Sequence, residues 1–428
     1  MQFPPTNNPI PIATHDPVST RALVTIPAVD LARSVYVVGK SGTGKSALLE
    51  RLLLGAVDSG FGAALIDPHG DLAERVLALL PRRHWNRLAI LAPRDEEHPV
   101  GLDLFGTATG ASRALVTSAI VEAFRKLWGP TLFGPRSEHL LRHAMLALLE
   151  TRGATLLGLL RMFVDEPYRA RITARVTDPV VQLFWTREVP TYPKAFWGEM
   201  VSPILNKLGA LAAPTVRRVV GQASPRLDLR KVMDEGGILV ADLSQIGADA
   251  AELLGALVVA GLTVAAHGRA AAPPGERHPF LVFADEFHRY ATSSFVGLLA
   301  ETRKYGVGAV LAHQHAAQLP EDVRAAILGN AGTLVSFPLS AEDAELVAPE
   351  FEPDITAREL VRLKRYHVAL RLLVAGSPSR PLLARTIPPP EARPVPPVLL
   401  RIARERYGRP IELVDAEIAA ALGATGPK

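Results

Sequence analysis

Several stretches of the chain are largely apolar without alternation: Val35-Tyr36-Val37-Val38, Phe61-Gly62-Ala63-Ala64-Leu65-Ile66, Arg87-Leu88-Ala89-Ile90-Leu91-Ala92-Pro93, Gly237-Ile238-Leu239-Val240-Ala241 and Phe280-Leu281-Val282-Phe283-Ala284. Runs this short with no polar face predict strands covered on both sides, as in a parallel sheet. Helical patterns follow the first two, from Ala47 to about Gly55 and from Leu72 to Leu80, and strand–helix alternation of this kind builds a parallel sheet. Two more strands are expected at Gly308–Ala312 and Thr333–Phe337, and a short one at Ala22–Ile26. From about Gly101 to Asp234 the period changes to that of helices. Val116, Ile120, Phe124 and Leu127 share one face, and Leu141, Met145 and Leu148 another.

The expected fold class is therefore α/β, with a mostly parallel sheet and an all-α domain inserted into it. The expected segments are a lead-in over 1–30, a first part of the core over 31–100, the helical insert over 101–235, a second part of the core over 236–387 and a Pro-rich linker with a helical tail over 388–428. Pro388-Pro389-Pro390 and Pro394 to Pro397 give that linker its stiffness.

Composition narrows the picture. Hydrophobic residues at 48% and charged ones at 21% describe a globular chain with a substantial core. The chain has no cysteine, which removes disulfides, thiol catalysis and cysteine zinc sites together. The net charge of +4 gives no overall signature of a nucleic-acid binder, so any DNA contact must be local. The longest apolar stretch, Leu253–Ala266, is 14 residues, short of the roughly 20 that cross a bilayer. It reads as a buried helix of a cytoplasmic protein that reaches a membrane, if at all, through a partner.

The candidate chemistry begins where the first strand ends. Gly39-Lys40-Ser41-Gly42-Thr43-Gly44-Lys45-Ser46, running on into Ala47, is a glycine-rich turn between a strand and a helix. Such a loop turns its N–H groups onto the β- and γ-phosphates of ATP; Lys45 adds a mobile charge, the helix its positive dipole end, and Ser46 a hydroxyl for Mg²⁺. The reaction also needs an acid at a strand end to orient the Mg²⁺ shell, and a carboxylate to activate water. Phe280–Ala284 followed by Asp285-Glu286 supplies both, Asp285 for the metal shell and Glu286 for the water. Asp67 reads as the cap of the turn before the next helix, or as a more distant contact to the nucleotide.

Gln314, after the next apolar strand, reads equally as a surface polar residue or as an amide that bonds both γ-phosphate and water. Arg303, at the end of the intervening helix, reads equally as a surface cation or as a group reaching a neighbouring subunit's nucleotide. Lys45 and Asp285 lie 240 residues apart in sequence, far more than the roughly 30 residues of each βαβ unit require, which is the mark of an insertion. His139 and His143 share a helix face without a third ligand at suitable spacing, and read as packing. His313 and His315 read as packing or hydrogen-bonding partners of the strand end that carries Gln314.

In this order, the phosphate loop, Asp67-Pro68-His69-Gly70-Asp71-Leu72, Asp285-Glu286-Phe287, Glu301-Thr302-Arg303-Lys304-Tyr305-Gly306, Gln314 and Asn330-Ala331-Gly332-Thr333 resemble the FtsK/HerA superfamily. The likeness is strongest to conjugative coupling proteins of TraD/TrwB type. It implies a RecA-like core, a homohexameric ring with ATP and Mg²⁺ at subunit interfaces, and DNA in a central pore. It also implies Arg303 as an arginine finger acting in trans, Gln314 as a sensor and Arg33 as an arginine near the phosphates. The sequence shows neither the membrane anchor of coupling proteins nor the N-terminal barrel of HerA, so a soluble form is expected. The function so implied is ATP-driven DNA translocation. A secretion-system ATPase driving protein export or assembly, and a nucleotide-dependent assembly switch, are the rival readings. Tyr290–Ser294 is one candidate DNA contact; Arg217 and Arg218 are another, or simply a solvated basic face.

Overall fold

Val35–Val38 (β3), Gly62–Asp67 (β4), Ile238–Asp242 (β6) and Phe280–Ala284 (β7) are buried at every position, as strands without a polar face must be. The computed structural model describes residues 6–15, 22–106, 110, 112–132, 134–374 and 376–423. The side chains at 130–132, 293, 294, 298, 300, 302 and 303 lie outside that description. Further strands run over Pro9–His15 (β1), Leu23–Pro27 (β2), Leu88–Leu91 (β5), Val307–His313 (β8), Thr333–Ser336 (β9) and His367–Arg371 (β10). Leu373–Val374 (β11) and Ser377–Pro378 (β12) form a small ribbon, and Leu382–Thr386 (β13) returns to the main sheet.

Among the described residues the main sheet has 11 strands in the order β2-β1-β13-β10-β9-β3-β8-β7-β4-β6-β5. From β9 to β6 neighbouring strands are parallel, and the four strands at the β2 end pair antiparallel. Together with its many helices this is the RecA-like P-loop NTPase fold. The sequence pattern suggested only the short strand at 22–26 for the antiparallel end. Its first partner, Pro9-Ile10-Pro11-Ile12, is masked by prolines that an edge position tolerates. Ile10 seats β1 on the helix Lys45–Asp58 (α1): a methyl group on Gly55 would come within 2.8 Å of the Ile10 side chain.

The order β3-β8-β7-β4 decides the site. It sets the carboxyl ends of the strands carrying the glycine-rich loop, Gln314, Asp285 and Asp67 side by side, where open α/β sheets bind ligands.

The chain divides into two compact units. One holds residues 1–90, 231–242 and 269–403, and the other 91–230, 243–268 and 404–428. Several boundaries differ here from the sequence-derived ones: residues 91–100 and 243–268, expected in the core, fall in the helical unit, and 231–235, expected in the insert, fall in the sheet unit. The helix Ala248–Gly268, expected with the second part of the core, belongs to the helical unit and packs against the helix Ser112–Leu132, because it is apolar nearly all round. Residues 404–423, expected in a tail, are held in the same unit by ion pairs. Arg404 Nε lies 2.6 Å from Asp95 Oδ2, and Arg218 binds Asp415 with Nε and Nη2 at 2.9 and 2.8 Å. The stretch Ala248–Ala271 reaches 24 residues, long and apolar enough to cross a bilayer, but 78% of its most apolar window is buried within the fold.

Candidate nucleotide site

The glycine-rich loop leaves β3 and enters α1 at Lys45. Gly42 takes φ +71°, a left-handed conformation that glycine adopts without penalty. Lys45 is buried, and its Nζ donates to the carbonyls of Gly39 at 2.6 Å and Lys40 at 3.1 Å. Burial pushes its ammonium below the ordinary lysine range, against the pull of Asp285 and Glu286.

Those two acids line the same cleft as Lys45. Asp285 is 7% exposed and its carboxyl is pushed up to about 6, first by burial, then by the charges of Glu286 and Asp67. Glu286 is the next residue, 6% exposed and left-handed at φ 48°, ψ 45°. A non-glycine residue held in that region costs free energy, and such residues cluster at functional sites. Gln314 Nε2 donates to Glu286 Oε1 at 2.7 Å, and His288 Nδ1 stands 3.4 Å from Glu286 Oε2. The amide therefore orients the carboxylate directly.

The strand end that carries Gln314 is fixed on both sides. His313 is fully buried, with its Nε2 3.1 Å from the Tyr36 hydroxyl, and burial lowers its imidazole to about 3. His315 Nδ1 donates to Asp343 Oδ2 at 3.0 Å.

Lys45, Ser46, Asp285, Glu286 and Gln314 line a single cleft of about 590 Å³ in the sheet unit. Asp67 lines it too, while performing the capping role: its Oδ1 accepts from His69 N and its Oδ2 from Ala73 N, both at 2.9 Å. Among the described residues no cluster of three or more His, Asp or Glu forms a metal cage. Mg²⁺ does not need one. It takes oxygen ligands, few of them from protein, and leaves the rest to water and phosphate. Ser46 and Asp285 fit that donor set, and a cation beside Asp285 would relieve a carboxylate that burial now holds partly against its charge.

Other expected residues lie elsewhere. Arg33 precedes β3 and so stands at the strand's opposite end from the loop, about 13 Å of strand away. Its guanidinium lies near Gly376 rather than beside the phosphate loop. Arg303 lies on the helix Ser293–Tyr305, and its side chain is outside the described residues. Of the expected DNA contacts, Tyr290, Ala291 and Thr292 are buried, and the side chains of Ser293 and Ser294 are outside the described residues. Arg218 is committed to Asp415. His139 and His143 pack their rings against Phe184.

The sequence reading missed Arg365, Tyr366 and Pro389, which also line the cleft. Arg365 Nε donates to Gly42 O at 2.8 Å and Tyr366 N to Thr43 O at 3.1 Å, so this turn braces the loop from outside.

No family model and no curated protein matches the sequence. Solved structures do match in fold. The bacterial conjugative coupling protein TrwBdeltaN70, in its unbound monoclinic form, aligns over 87% of this chain and 89% of its own at 15% identity, with a TM-score of 0.64. The plasmid coupling protein TrwB in complex with ADP and Mg²⁺ aligns over 87% and 90% at 16% identity, TM-score 0.63. VirB4 of Thermoanaerobacter pseudethanolicus aligns over 91% and 98% at 16% identity, TM-score 0.60. At these identities the likeness is one of fold.

Proposed function

We propose that this chain is an ATP hydrolase that couples turnover to moving DNA, working as a homohexameric ring with the nucleotide at subunit interfaces. The observation that carries the reading is convergence. Lys45 and Ser46 from one part of the sequence meet Asp285, Glu286 and Gln314 from another in one cleft. Likeness in fold to a conjugative coupling protein, and to one whose structure holds ADP and Mg²⁺, supports it.

In this reading the loop N–H groups and Lys45 bind the triphosphate, Lys45 exchanging its bonds to Gly39 and Lys40 carbonyls for phosphate oxygens. Ser46 and Asp285 hold Mg²⁺, which when bound neutralises charge on the phosphates. Glu286, aimed by Gln314, takes the proton of the attacking water. Gln314 is the amide that exchanges partners when the γ-phosphate arrives or leaves. Arg303 completes the pocket from the adjoining subunit.

The test is ATP turnover with Mg²⁺, with and without DNA, beside a mass measurement of the assembly in ATP. DNA should raise the rate and ATP should favour a ring. A rate indifferent to both duplex and single strands would transfer the motor to protein export, a reading that the small net charge of +4 favours.

A further inference from the structure

The phosphate half of the cleft is accounted for by the loop and the acids. The outer half has walls that this chemistry does not use. Tyr366 has φ +66°, a conformation costly for an aromatic residue, and it is pinned there from both sides. Its N–H donates to Thr43 O, and its carbonyl accepts from Thr386 N at 2.8 Å and Thr386 Oγ1 at 3.1 Å. The ring leans on the glycine-rich loop: a methyl at Gly44 would come within 3.0 Å of Tyr366 Cδ1. The Arg365 guanidinium lies 4.6 Å from the ring centroid. Yet Tyr366 remains 37% exposed, so this layered aromatic and cationic wall is presented to the cleft rather than spent on the core.

Pro389, which also lines the cleft, is equally fixed. The carbonyl before it, of Pro388, accepts from Arg51 Nη2 at 2.9 Å, and the carbonyl after it, of Pro390, from Arg75 Nη2 at 3.1 Å. Arg75 is itself held by the buried Glu50, Nε to Oε2, at 2.5 Å. Flat, half-exposed, rigidly held surfaces of this kind suit a planar heterocycle, which gains by stacking on aromatic and guanidinium planes whatever its edge pattern.

We infer that the Arg365–Tyr366 wall, with Pro389 lining the same cleft, is the base-binding subsite, receiving the heterocycle of a nucleoside triphosphate within the same subunit. This rests on the reading of the cleft as a triphosphate site. It departs from the interface role of Arg303 in needing no second copy.

The test compares binding of Mg²⁺–ATP and Mg²⁺–tripolyphosphate to the wild-type chain, Tyr366→Phe, Tyr366→Gly and Lys45→Ala by titration calorimetry. Glycine accepts the left-handed backbone, so Tyr366→Gly removes the ring without adding strain. Wild type and Tyr366→Phe should hold ATP roughly ten-fold more tightly than tripolyphosphate. Tyr366→Gly should bind ATP no more tightly than tripolyphosphate, losing far more of its ATP affinity than of its tripolyphosphate affinity, and Lys45→Ala should lose both. If Tyr366→Gly binds ATP as the wild type does, or loses ATP and tripolyphosphate in equal measure, the base subsite is wrong while the Lys45 result keeps the triphosphate reading. Wild-type protein that binds neither ligand overturns both.

Discussion

Replacing Asp285 by Asn should abolish turnover and yet make the metal-free protein more stable. The carboxyl of Asp285 is pushed up to about 6 by burial and by Glu286 and Asp67, against an ordinary value near 3.9. The sign follows from linkage. A folded-state value above the unfolded one means the folded chain binds more protons between pH 4 and 6, so stability falls as pH rises through that window. Above pH 6 the cost of holding the charge is fully present, about 3 kcal/mol from the separation of the two values. A neutral amide of the same shape escapes it and can still accept from Glu286 N, which donates to Asp285 Oδ1 at 3.0 Å. Allowing for imperfect partners for the new NH₂, the gain is about 1–3 kcal/mol, or roughly 3–10 °C in melting temperature for a domain of this size. The assay is thermal unfolding in EDTA at pH 7.5 and again near pH 4.5. Asp285→Asn should melt higher at the first pH, and the difference should shrink at the second, where the native carboxyl is already protonated. Added Mg²⁺ should raise the wild type and leave the variant where it was. A variant that melts no higher than wild type at pH 7.5 in EDTA would refute the argument that Asp285 is charged at a cost in the absence of a cation.

Glu286→Gln should retain ATP binding while kcat drops by about 10²–10⁴, the usual share of a general base, measured by single turnover with labelled ATP; normal turnover would show that another group takes the proton. Gln314→Ala removes the 2.7 Å bond that orients Glu286, so kcat should fall with KM for ATP nearly unchanged. Arg33→Ala, changed at the far end of β3, should leave the KM for ATP within about two-fold of wild type, and a large rise would return that arginine to the phosphates. Arg303→Ala should inactivate alone but support turnover when mixed with Lys45→Ala subunits, since each mutant then supplies what its neighbour lacks; steady-state rates across mixing ratios decide it.

The parallel part of the sheet and the strand-end position of the acids were legible in sequence because their signals are local. Val35–Val38 runs directly into the glycine-rich loop, and Phe280–Ala284 directly into Asp285-Glu286, so strand, turn and chemistry are contiguous. The antiparallel end was not legible in full. β1 opens with alternating prolines, and it finds its partner β13 from the other end of the chain, in pairs such as Ala13↔Thr386. Arg365, Tyr366 and Pro389 carry no motif at all. Tyr366 joins the site through a left-handed backbone that its residue type disfavours, and Pro389 through guanidinium bonds to its neighbours' carbonyls, both set by tertiary context. The long apolar helix Ala248–Gly268 was recognised as buried, but an all-round apolar surface does not say which unit buries it.

The antiparallel pair at the sheet's end has a practical consequence for anyone shortening the protein. β1 covers β13 through the pairs Ala13↔Thr386, Thr14↔Arg385 and His15↔Ala384, and β2 in turn covers β1. A clone starting at Ala28 would strip both, baring one side of Leu382–Thr386 as a row of unmet amides and carbonyls and emptying the seat of Ile10 on the helix behind the glycine-rich loop. Such an open border recruits strands from other molecules, so the shortened chain should fail first by self-association in the expression host, before any defect in catalysis could be measured.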